Sequence, residues 1–172
     1  GMFDLYNLSY QTSGVGYFDL MGYGAYGSDA GTHPFHPNAF VKDYYGWTAL
    51  SDLGPGTYSL TLAPVELGAN GIRLYPDGNT SSKEYFVLEN RQALGYDMGW
   101  TGAGLCTGLV IWHIDGTIVE AYALSNLVNS PSPGYPGGPA HPGVLVVEAD
   151  GNFDMIQEQF PPSLNYGQCS DT

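Results

Sequence analysis

Six glycines, Gly14, Gly16, Gly22, Gly24, Gly27 and Gly31, punctuate one short stretch of the chain so closely that no ordinary helix or strand fits between them. That stretch must fold through turns and single helical turns, and its stability must come from packing against something more regular. The only helix signal before residue 52 follows it. Asn38 is placed to cap a helix running from Ala39 to about Tyr45, with Pro37 ahead of it and Gly46 as its stop. The segment 1–52 therefore reads as glycine-rich and partly helical.

Beyond Asp52 the pattern changes to strands. Thr57 to Leu62 alternates Tyr58, Leu60 and Leu62 with three hydroxyl residues, the period of a half-buried strand. Gly71 to Tyr75 forms a second, closed by the turn residues Pro76-Asp77-Gly78. Glu84 to Gln92 forms a third, its Tyr85-Phe86-Val87-Leu88 run implying burial on both faces. Leu105 to Ile114 and Val144 to Ala149 complete the set. Val119 to Val128 reads as a short helix or an irregular crossing, and the proline-rich stretch from Ser130 to Pro142 as a surface loop. The expected fold class is mainly β within α+β, in two parts: a glycine-rich, partly helical N-terminal domain segment, residues 1–52, and an antiparallel β-rich supporting domain, residues 53–172.

Charge excludes several functions. Four Lys and Arg oppose 17 Asp and Glu, a formal net charge of -13, so phosphate backbones and anionic membrane surfaces are repelled. No apolar run approaches the roughly 20 residues that span a bilayer. The acidity leaves plain solubility, attraction of basic substrates, or calcium sites. Calcium takes six to eight oxygens, often from turns rich in Asp, Asn and Gly. Asp150-Gly151-Asn152-Phe153-Asp154 has that composition, and Asp115, Glu120, Glu148 and Asp97 are candidates for the same cluster. The plain alternative is a solvated acidic turn. Arg91 stands among many carboxylates on a strand and reads as an internal ion-pair partner, with a substrate-carboxylate role as the alternative. His33, His36, His113 and His141 follow no common zinc spacing and read as structural, His113 bonding a neighbouring loop. Cys106 and Cys169 are too few for a disulfide scaffold, and they pair only in an oxidising compartment.

Several motifs occur in a fixed order: Gly1-Met2-Phe3-Asp4-Leu5-Tyr6, Gly16-Tyr17-Phe18-Asp19-Leu20-Met21-Gly22, and His36-Pro37-Asn38-Ala39-Phe40-Val41-Lys42 with Gly46-Trp47. They continue as Glu84 to Gln92, then Gly108 to Asp115, then Gly143 to Gly151. The ordered set resembles the immune inhibitor A-like family of secreted zinc metallopeptidases over nearly the whole chain. That family pairs two imidazoles and a general-base Glu in HExxH on a helix, and continues to a third ligand in the register HExxHxxGxxD.

The resemblance implies a metzincin-like catalytic domain in which Asp4 is the third zinc ligand. Met21 is the turn methionine forming an apolar floor beneath the metal, and Tyr23 is a candidate for stabilising the oxyanion. The parent activity it implies is endopeptidase hydrolysis of protein or peptide substrates through a metal-activated water, in a secreted protein. The sequence departs from the family in one decisive respect, because it contains no HExxH. The chain is therefore expected to be the piece C-terminal to the zinc helix, partnered in the parent by the missing N-terminal catalytic half. Alone, it is expected to be inactive and to hold no zinc. The alternative is a non-catalytic β-rich binding or adhesion module, stabilised by calcium.

Overall fold

A computed structural model describes residues 1–68, 71–131, 136–148, 151 and 155. Its centre is a five-stranded mixed sheet in the order β1-β2-β3-β4-β5. The strands are β1 (Ser51–Leu53), β2 (Ile72–Leu74), β3 (Glu84–Arg91), β4 (Gly108–Asp115) and β5 (Val144–Val146). β1 runs parallel to β2, and every other pairing is antiparallel. Among the described residues two short α-helices, α1 (Ala39–Tyr44) and α2 (Gly116–Tyr122), accompany it. The architecture is a mainly β, α+β fold. Among the described residues no helix is long and apolar enough to cross a membrane.

The β3–β4 hairpin sets the geometry. Eight residue pairs run from Glu84 opposite Asp115 to Arg91 opposite Gly108. This register puts Val87 beside Trp112 and Glu89 beside Val110 on one face, with Trp112 beside Val146 and Ile114 beside Val144 continuing it into β5. That face is buried. The opposite face carries Phe86, Leu88, Ile111 and Leu145, all partly exposed, so burial of β3 is one-sided rather than two-sided.

The glycine-rich segment packs on the buried face. Phe3, Leu5, Val15, Phe18, Phe35, Phe40 and Val41 share one hydrophobic cluster with Val87, Trp100, Trp112 and Val146. The sequence boundary after Asp52 falls within β1, and side chains from both sides of it contribute to this cluster. As expected, Asn38 caps α1, its side-chain oxygen accepting from the Val41 N–H at 2.8 Å.

Three expectations need correction. Thr57 to Leu62 forms no strand: Tyr58 is 48% and Leu60 56% exposed, and the segment joins no ladder. Alternation alone does not recruit a partner, and here Gly54, Pro55 and Gly56 turn the chain off the sheet immediately after β1. The sheet is mixed because β1 lies parallel to β2. The region 119–128 begins its helix earlier than expected, at Gly116, because Asp115 ends β4 and caps α2. Its Oδ1 accepts from the Thr117 N–H at 2.9 Å and the Ile118 N–H at 3.2 Å.

Candidate functional site

Residues 3–5 run extended through the glycine-rich segment, bonded on both sides. The Leu5 N–H donates to the Met21 carbonyl at 2.8 Å, and the Val15 N–H donates to the Leu5 carbonyl at 3.1 Å. The second contact requires Gly14, whose φ is +60° and where an added Cβ would lie 2.0 Å from the Leu5 carbonyl oxygen. From the other end of the sequence, Asn129 reaches in. Its amide donates to the Leu5 carbonyl at 2.9 Å and to the Val144 carbonyl at 2.8 Å, tying the extended segment to β5.

Asp19 fixes the methionine turn. One carboxylate oxygen accepts from the Met21 N–H and the other from the Asn38 N–H, both at 2.6 Å. The group is fully buried, and burial pushes its pKa up to about 7 against the opposing pull of those two N–H donors and of Arg91. The turn and the start of α1 are thus held by one side chain.

These restraints place Asp4, Met21 and Tyr23 together on the wall of one open cavity of ≈ 440 Å³, with Tyr6, Tyr10 and Tyr26 around them. The Asp4 carboxylate is oriented by Asn126. The Asn126 amide donates to Asp4 Oδ2 at 2.6 Å, while its side-chain oxygen accepts from the Asp4 N–H at 2.5 Å. Tyr6 also hydrogen-bonds Asp4, and its phenol is pushed up to about 12 by burial and then by the Asp4 charge. Asn126 has a left-handed φ of +61° just beyond α2, a position where Asn is tolerated better than most residues. Sequence reading missed Asn126 and Asn129, because their partners lie 122 and 124 residues away. The only local signal was an Asn shortly after a short helix.

A second group of charges is buried around Arg91. Arg91 is fully buried: Nη2 donates to Asp97 at 2.6 Å, Nε lies 3.3 Å from Glu66, and Nη1 lies 3.5 Å from Glu89. Its guanidinium carbon stands 4.4 Å from the centroid of the Trp100 ring. Glu89 also accepts from the Ala39 N–H at 2.6 Å, at the positive end of α1, and from the Trp112 indole at 3.0 Å. Arg91 is therefore an internal ion-pair partner, as its isolation among carboxylates implied. Asp97 belongs to this cluster, where it also accepts from the His36 N–H at 2.6 Å, and not to an acidic group around Asp115. His36, Lys42, Trp47 and Glu66 border a separate cavity of ≈ 330 Å³. Lys42 is turned inward there and donates to the Val65 carbonyl at 2.9 Å.

The remaining candidates are dispersed. Asp115 caps α2 and lies 3.5 Å from His141, Glu120 pairs with Lys83, and Glu148 accepts from the Met155 N–H at 3.2 Å. Asp150 and Asp154 lie outside the described residues. His33 pairs with Asp29, and His113 bonds Glu84 on the adjoining strand β3 at 2.9 Å rather than a loop. Among the described residues no three His, Cys, Asp or Glu side chains are grouped to hold a metal ion. Cys106 is disulfide-bonded, and Cys169 lies outside the described residues.

No protein family, curated protein or solved structure matches the chain.

Proposed function

We propose that this chain is the portion of a secreted zinc endopeptidase that supplies the third metal ligand, the methionine turn and part of the substrate cleft. The observation that supports this reading is the convergence of Asp4, Met21 and Tyr23 on one open cavity, although 17 residues separate Asp4 from Met21. Asp4 and Met21 are the positions that the ordered motifs assign to ligand and floor, and Tyr23, two residues beyond Met21, is the candidate oxyanion neighbour. The Asp4 carboxylate is already oriented by Asn126 and Tyr6, as ligating carboxylates generally are by outlying hydrogen bonds. The disulfide at Cys106 agrees with an oxidising, extracellular location.

The donor set present here does not fit zinc by itself. One carboxylate is far short of the three or more protein ligands that Zn²⁺ takes, and the sequence has no HExxH to add them. Peptide-bond hydrolysis belongs to the proposed parent, and the isolated chain is inactive. The roles assigned to its own residues are limited: Asp4 presents an oriented carboxylate, Met21 an apolar surface beside it, and the tyrosines a wall for substrate.

The test has two parts. Coding sequence upstream of Gly1 should continue in frame and encode HExxH in the HExxHxxGxxD register with Asp4; a start codon or secretion signal there instead would favour the stand-alone binding module. The purified chain should carry no stoichiometric zinc and cleave no protein substrate. One tightly held zinc per chain by elemental analysis would overturn the claim of inactivity.

A further inference from the structure

The cavity that holds Asp4 has a chemistry of its own. Its lining combines a single carboxylate, the rings of Tyr6, Tyr10, Tyr23 and Tyr26, and the Met21 thioether, with no basic side chain among the lining residues. We infer that this cavity binds a cationic side chain of a polypeptide, Lys or Arg, with the charge between the Asp4 carboxylate and the surrounding tyrosine rings.

Four observations carry the inference. The rings are held in place by one another. Tyr6 stacks on Tyr10 at 5.8 Å between centroids, Tyr23 lies 4.7 Å from Tyr26, and Tyr17 braces Tyr23 edge-on at 4.9 Å. Ring faces carry negative potential, and aromatic walls around a carboxylate suit a diffuse organic cation. Second, Tyr10 and Tyr26 stay 54% and 53% exposed, so their rings meet solvent rather than fill the core. Tyr10 does so from a left-handed φ of +55°, which residues with a Cβ rarely adopt. Third, Asp4 is fixed in advance by Asn126, and a carboxylate has lone pairs beyond those Asn126 and Tyr6 engage. Fourth, a net charge of -13 draws basic chains toward the whole surface and leaves the cavity to choose among them.

A bare divalent cation fits less well. It would need several oxygen or nitrogen ligands, and among the described residues no three His, Cys, Asp or Glu side chains gather there. The inference concerns the metal-free chain; in the proposed parent a zinc held by Asp4 would compete for the same carboxylate, so the two occupants exclude each other there.

The experiment is a calorimetric titration of the metal-free 172-residue chain with acetyl-Gly-Lys-Gly-amide and with the same peptide carrying norleucine for lysine. The lysine peptide should bind at least about tenfold more tightly, since only it brings a charge to the Asp4 carboxylate and the rings. Tyr10→Leu and Tyr26→Leu should each weaken the lysine peptide about two- to fivefold, the range for an exposed cation–ring contact. Both rings are more than half exposed, so these variants should keep the fold, which their unchanged unfolding midpoints would verify. Asp4→Asn should weaken it further, and Asp77→Asn, in the turn after β2, should not. Equal binding of the two peptides, absence of binding, or lysine-peptide binding that both tyrosine variants leave untouched would each overturn the inference. The titration contains no metal, so its failure is independent of the zinc measurements.

Discussion

Arg91 and Asp19 show how individual residues bear the structural load beneath the cavity. Arg91 faces Glu66, Glu89 and Asp97 in a fully buried setting, and its own charge is held more firmly by those carboxylates despite the burial that opposes it. Removing it leaves three buried acids with only Lys42 as a nearby positive charge. Arg91→Met should therefore destabilise the chain by about 3–5 kcal/mol, measured by urea unfolding. A loss under about 1 kcal/mol would mean that the acids neutralise at little cost. Asp19 gives a pH dependence with a definite sign. Its pKa is raised from 3.8 to about 7 on folding, so the folded state binds more protons than the unfolded state between those values. The Asp19 contribution is complete below about pH 4 and falls as pH rises to about 7, by up to about 1.4 kcal/mol per pH unit. In Asp19→Asn, which cannot titrate, that slope should flatten; an unchanged slope in unfolding measurements at pH 4 to 7 would assign it elsewhere. The ion-pair role of Arg91 was legible because so few basic residues stand against so many acids. Its partners were not, because Glu66 comes from a separate turn and Asp97 from the segment between β3 and β4.

The individual elements show where local chemistry decides the outcome and where it does not. The cap of α1 was readable because an N-cap acts within its own turn, and Asn38→Ala should cost about 1 kcal/mol by thermal or urea unfolding. An effect near zero would place the holding of that helix in Glu89, whose carboxylate also meets its first turn. β3 and β4 were readable because two long apolar runs separated by a loop have few alternatives to pairing. Thr57 to Leu62 carried an equally good alternation and failed, since a strand needs a neighbour and the sheet edge is already formed by β1. The candidate cavity was readable only by resemblance. Asp4, Met21 and Tyr23 have no shared periodicity; the Leu5 N–H to Met21 carbonyl bond brings their segments together, and Asn126 and Asn129 fix the Asp4 segment from the far end of the chain.

At the scale of the whole molecule, acidity is the dominant property and calcium its remaining open role. The calcium expectation rests on the composition of Asp150-Gly151-Asn152-Phe153-Asp154, of which Asp150 and Asp154 lie outside the described residues. Such a site should raise the thermal unfolding midpoint in calcium relative to chelator. Equal midpoints would eliminate it. The sheet itself ends on two strands of three residues, β1 and β5, which gives little template for edge pairing between copies.

The bond between Asp4 and Asn126 spans 122 residues. During synthesis at roughly 5–20 residues per second, Asp4 is added to the chain roughly 6–25 seconds before its partner. Until then the first segment lacks its bonds to Asn126 beyond α2 and to Asn129 beside β5, and the Asp4 carboxylate has no amide to orient it. Closing so long a loop is also slow for a complete chain, because the entropy of bringing its ends together is lost before any contact compensates. The orientation of Asp4 thus waits for the C-terminal half of the chain, whereas the tyrosines around it all lie within residues 6–26 and are made early.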